Sequence, residues 1–165
     1  MINHIKFEEL LGKHVSKFED SIGIDFENTL FQKSFYYISD EFTKKHFYGM
    51  EYNMVDIITN EDQKVQSISV LFRKVIDSQF YNAFIVNYGE PDHIQVVLNK
   101  KEIKEDYPKE NNNDFTRNAK KYEIELKEGS FNEKPLYIIW KKDNYEIKAF
   151  LRHKQNMSEI TFSIK

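Results

Sequence analysis

Tyr145-Glu146-Ile147-Lys148-Ala149-Phe150-Leu151-Arg152 alternates at every second residue. Tyr145, Ile147, Ala149 and Leu151 fall on one side of an extended chain, Glu146, Lys148, Phe150 and Arg152 on the other. A strand repeats its side-chain direction every two residues, so this is the pattern of a strand with one face on a core and one toward water. The same phase recurs around it. Leu136, Ile138 and Trp140 alternate with Tyr137 and Ile139, and Ile160, Phe162 and Ile164 alternate with Thr161, Ser163 and Lys165. Upstream, Tyr122, Ile124 and Leu126 alternate with Glu123, Glu125 and Lys127. The connections Lys142-Asp143-Asn144 and Gln155-Asn156-Met157-Ser158 are too short for a crossover, so the neighbouring strands run antiparallel.

Working toward the N-terminus, Ile94 to Leu98 reads as a strand. Before it, Phe80, Tyr81, Phe84, Ile85 and Tyr88 form an apolar stripe with helical period, opened by Asp77 or Ser78 as cap and closed by Gly89 and Pro91. Tyr52 to Thr59 and Val65 to Phe72 flank a turn at Asn60-Glu61-Asp62-Gln63, and Phe35 to Ile38 is a further strand. Residues 5–11 and 13–22 read as short helices, the second ending at Gly23. The phrase Phe18-xxx-Ile22-Gly23 matches Phe84-xxx-Tyr88-Gly89, which suggests two copies of one helix-then-sheet unit. The expected class is α+β: short helices packed on an antiparallel meander of roughly six to nine strands. It is read as a single domain, 1–165, with half-repeats 1–72 and 73–165. Lys100 to Asp114 is polar and carries Asn111, Asn112 and Asn113 in a row, and is read as a long mobile loop.

At 165 residues the chain can bury roughly 70% of its unfolded surface and needs no covalent staple. It contains no cysteine, which excludes disulfides and thiolate chemistry and favours a reducing compartment. Acidic residues break any apolar run in Met1 to Glu9, so no signal-peptide core is read there, and no stretch approaches a membrane span. Net charge is −3, with 12 acids and 7 bases in residues 1–72 against 15 acids and 17 bases in 73–165. Neither half has the strong basic excess of a nucleic-acid binder. Fourteen Phe, ten Tyr and one Trp supply large apolar area in few side chains.

The residues do not spell a catalytic site. His4, His14, His46, His93 and His153 lack metal-ligand spacing, and Gly-x-Ser-x-Gly and Gly-x-Gly are both absent. Carboxylates such as Glu123 and Glu125 fall at water-facing strand positions, where they make poor general acids. The Asp25-Phe26-Glu27 pair is explained equally well by solvent exposure. No catalytic residue, cofactor or metal is expected. The one patch that stands out is Tyr137, Ile139, Phe150 and Arg152, all out of phase with the core positions of their strands. Aromatic, aliphatic and Arg side chains of this kind anchor protein interfaces. If a helix covers that face, the same residues are ordinary core.

Leu10-Leu11-Gly12-Lys13, Phe18 through Gly23 and Phe84 through Asp92 give a short helical segment, a helix ending in Gly or Gly-x-Pro, then a meander. This arrangement resembles the BamE/SmpA lipoproteins, and its doubled form resembles the β-lactamase inhibitor proteins. The resemblance implies a concave sheet used to grip another protein and carries over no contact residue. The chain departs from both families in having no cysteine for a lipid anchor or a disulfide. The expected function is a non-enzymatic, cytoplasmic protein-binding module, an inhibitor or immunity-type protein masking a toxin or enzyme. Its partner is another protein rather than nucleic acid or membrane, bound through a sheet face and the 100–114 loop. The alternative is a small-molecule or lipid-binding domain with an aromatic-lined pocket.

Overall fold

The computed structural model describes residues 5–18, 27–28, 34–38, 45–103 and 121–165. In these residues eleven strands form, all strand pairs antiparallel, together with an α-helix over Ser78–Tyr88 and helical residues at 16–18. They are β1 (Glu27–Asn28), β2 (Ser34–Ile38), β3 (Lys45–Phe47), β4 (Met50–Tyr52), β5 (Met54–Thr59), β6 (Val65–Phe72), helix α1 (Ser78–Tyr88), β7 (His93–Ile103), β8 (Lys121–Glu128), β9 (Tyr137–Lys141), β10 (Tyr145–Arg152) and β11 (Met157–Ile164). Nine strands make one sheet in the order β1-β2-β5-β6-β11-β10-β9-β7-β8, and β3 and β4 form a separate hairpin. The α+β class with an antiparallel sheet is thus present, with sheet predominating.

Local chemistry sets the boundaries. The Asp77 carboxylate accepts from Phe80 N–H at 2.8 Å and caps α1, using one of the donors the first turn leaves unpaired. The helix stops at Gly89, whose φ of 77° is open to glycine without a Cβ clash and whose N–H reaches Ile85 C=O at 2.7 Å. Between β5 and β6 the Asn60 side chain accepts from the N–H groups of Asp62 and Lys64, holding the turn read from the sequence. The β3–β4 hairpin turns on Tyr48-Gly49, both at positive φ as a two-residue turn of that hand requires.

The core lies on one face of the sheet. Ile68, Val70 and Phe72 of β6, Ile138 and Trp140 of β9, Ile147, Ala149 and Leu151 of β10, and Ile160 and Phe162 of β11 are all buried there. Phe80, Phe84 and Tyr88 of α1 pack down on them, with Phe84 and Trp140 ring centroids 4.9 Å apart. The 3₁₀ turn Phe7–Leu10 inserts Phe7 between Phe47, Phe18 and Phe162, at centroid distances of 5.1, 5.9 and 5.8 Å. Tyr88 Oη donates to Glu8 at 2.8 Å and ties that turn to the end of α1. The 3₁₀ turn Phe131–Glu133, closed by a Ser130/Glu133 capping box, stacks Phe131 on Tyr81 at 4.3 Å. The described elements outside the sheet therefore share the α1 face.

The two halves meet at a common seam. β6 and β11, the last strand of each half, pair in the middle, with Ser69 Oγ and Thr161 Oγ1 2.7 Å apart across the seam. Outward from it the first half runs β6, β5, β2, β1 and the second runs β11, β10, β9, β7, β8. Phe18 and Phe84, the matched phenylalanines of the sequence, are both fully buried. Ile22 and Gly23 lie outside the described residues.

Three readings need correction. Lys100 to Ile103 are not loop but the end of β7, paired with Lys121 to Ile124 of β8; residues 104–114 lie outside the described residues. Tyr122 and Ile124 do not face the core. β7 pairs with β9 only over His93–Gln95, so β7 and β8 run on as a two-stranded ribbon past the described elements of the α1 face, and the apolar alternation of β8 lies on the face away from α1. Ile164 is 39% exposed because it closes β11 at the sheet border. Among the described residues no helix is long and apolar enough to cross a membrane.

Candidate functional site

The face away from α1 carries cross-strand rows fixed by the pairing register. One row runs Met54, Leu71, Glu159, Phe150, Tyr137, Gln95, Glu128, and the next runs Asp56, Ser69, Thr161, Lys148, Ile139, His93. A third runs Ile58, Ser67, Ser163, Glu146, Lys141. Directly opposed residues on one face are the pairs that interact across a sheet. All four residues singled out in the sequence stand on this face, three of them in adjoining positions and Arg152 one step along β10.

The pair Tyr137 and Phe150 stacks at 5.1 Å between centroids with 29° between planes. The Arg152 guanidinium sits 4.7 Å from the Phe150 centroid and the Lys148 ammonium 4.2 Å from the Tyr137 centroid. A cation over a ring is attracted by the negative π-face, worth about 0.5–1 kcal/mol at an exposed site. Arg152 and Lys148 are exposed while Tyr137, Ile139 and Phe150 are half-buried. Ile139 lies opposite Lys148 and His93 rather than against the stack. Lys148 is the member the sequence reading missed, although its phase with Phe150 in β10 was available.

Polar groups border this cluster. Glu159 receives a hydrogen bond from Thr161 Oγ1 at 3.2 Å and lies 3.8 Å from the Arg152 guanidinium. Burial, and secondarily the Glu159 charge, pushes the Asp56 carboxyl above its ordinary value. At the other border His93 is held from both sides, by Glu128 at Nδ1 (2.9 Å) and by Lys141 Nζ at Nε2 (3.1 Å). Asp92 accepts from Lys141 N–H at 2.6 Å, which holds its carboxyl below its ordinary range, with Lys142, Lys141 and His93 adding in the same direction.

The face continues onto the ribbon. Register puts Val97 and Leu126 on the same side as Gln95 and Tyr137, followed by Ile124 and Tyr122, with Lys100 3.9 Å over the Tyr122 ring. Val97, Ile124 and Tyr122 are each about two-fifths exposed, an apolar strip too wet to be core. The aromatics of the other face pack on one another. A shallow depression on the ribbon is lined by Asn99, Lys101, Glu123, Ile124 and Glu125, with no ring in its wall. Among the described residues no group of three His, Asp or Glu side chains is placed to hold a metal ion.

Compared with known proteins, the chain matches no family model, no curated protein and no solved structure.

Proposed function

We propose that the chain is a non-enzymatic protein-binding module that acts in the cytoplasm by masking its partner, as an inhibitor or immunity-type protein does. The observation that carries this reading is the Tyr137/Phe150 stack flanked by Lys148 and Arg152 on the sheet face opposite α1. Large aromatic side chains and Arg concentrate binding energy, and here they stand on the paired strands β9 and β10 rather than on a loop. The apolar strip through Val97, Leu126, Ile124 and Tyr122 extends the same face toward the area a stable complex needs. The resemblance to the BamE/SmpA and β-lactamase inhibitor families belongs to this proposal, since it implies the same use of a sheet.

The test is co-purification from native cytosol with wild type and a Tyr137→Ala/Phe150→Ala variant side by side, read by intact-complex mass spectrometry. A one-to-one complex with wild type that the variant loses supports the reading. A complex indifferent to the variant, or no protein partner at all, overturns it. Recovery of a tightly held small molecule would instead favour the pocket alternative.

A further inference from the structure

The chemistry of the stack also selects a class of partner, an inference that rests on the protein-binding reading above. Each ring already has the other ring beside it and a cation over it. A nucleobase or sugar stacking there would compete with cations already seated. What the cluster has to offer is donors: the Lys148 ammonium, the outer N–H groups of Arg152, the Tyr137 hydroxyl and the electropositive ring edges. In its row Lys148 stands between Thr161 and Ile139, neither of them acidic. Among the described residues no carboxylate lies within ion-pairing distance of it. Arg152 stands opposite Met157 and, among the described residues, is matched only by Glu159 at a long 3.8 Å. The other described carboxylates of this face are Asp56 beyond the seam, Glu128 against His93, Glu102 opposite Tyr122 on the ribbon, and Glu146, which stands opposite Lys141 and two residues before Lys148 without pairing with it.

We propose that the partner docks an acidic, extended segment along β10, setting carboxylates on Lys148 and Arg152 and an apolar side chain between them against the outer edges of the Tyr137 and Phe150 rings, leaving both cations in place. Lys148 and Arg152 lie four residues apart on one strand, about 13 Å between backbones. A partner strand with acids at positions i and i+4 and an apolar residue at i+2 repeats that spacing. A helix would need acids about nine residues apart to match it.

The experiment is selection of random dodecapeptides displayed on phage against the full chain, followed by titration of the best synthetic peptide against variants. The expected result is enrichment of peptides with two Asp or Glu residues around an apolar one. Their affinity should fall about tenfold or more in Lys148→Glu/Arg152→Glu, and weaken as salt is raised. Lys148→Gln, which removes one exposed charge without reversing it, serves as the second variant and should give a smaller loss. Thermal unfolding checks that both variants fold.

Peptides without acids, bound equally by the charge-reversal protein but lost in Tyr137→Ala/Phe150→Ala, would overturn the acidic partner and leave the binding face standing. No enrichment, or peptides indifferent to every variant, would overturn both. Binding of an oligo-dT probe that is lost in the charge-reversal protein would overturn the choice of a protein partner.

Discussion

Alanine at Phe150 and, separately, at Leu151 reads the two faces of β10 one residue apart. Leu151 is 1% exposed under α1, and removing such a side chain costs about 2–5 kcal/mol in lost burial and residual cavity. Phe150 is half-buried on the opposite face. Its truncation loses the pairing with Tyr137, about 0.5–1.5 kcal/mol, and the Arg152 contact, about 0.5–1 kcal/mol. These two contacts sum to about 1–2.5 kcal/mol, and only part of a ring's burial is lost with them, although phenylalanine is the larger side chain. Had a helix covered this face, the same change would cost about 3–5 kcal/mol. Urea unfolding of the two variants gives both values from the midpoints, with an unchanged slope as the check on a common unfolded state. A Phe150→Ala cost equal to or above that of Leu151→Ala would refute the face assignment, and with it the argument that Tyr137, Phe150 and Arg152 are available to a partner.

Asp77→Ala should cost about 0.5–2 kcal/mol by removing the cap on Phe80 N–H, measured as a fall in thermal stability, whereas Asp77→Asn should retain most of it. Asp56→Asn should stabilise the protein at neutral pH, because the raised carboxyl pKa means that ionisation there opposes folding. The advantage is full above the raised folded value and vanishes as pH falls through the unfolded one, near 3.9, where both states are protonated. An Asp56→Asn curve parallel to wild type across pH 3–8 would refute this. Asp92 has the opposite sign. Its lowered carboxyl pKa stabilises above the unfolded value and is lost as pH falls through the folded one, so Asp92→Asn should flatten the acid limb of a stability–pH profile. Gly129→Ala should destabilise by about 1–3 kcal/mol, since a Cβ there would lie 2.8 and 2.9 Å from the two Val96 methyl groups. In a double-mutant cycle Val96→Ala should relieve part of that cost, and strict additivity would count against the clash.

Some of this protein was legible residue by residue. Helix α1 could be read because a 3.6-residue stripe, an Asp cap and a Gly stop are all local signals. The strands β9, β10 and β11 could be read because alternation is local and their hairpin connections are short. Phase alone also separated Tyr137, Ile139, Phe150 and Arg152 from the core positions, since a strand cannot point two successive side chains the same way. The tertiary structure decided which face α1 covers, because alternation distinguishes two sides of a sheet without saying which receives the helix when both carry apolar residues. It decided that Tyr122 and Ile124 stay wet, since β8 lies outside β7 and runs past the end of β9. It brought β6 to β11 across a separation of some ninety residues, joining the halves at Ser69 and Thr161. Local propensity carries no information about a pairing that distant; it comes from burying the apolar faces of both halves against one set of aromatic side chains.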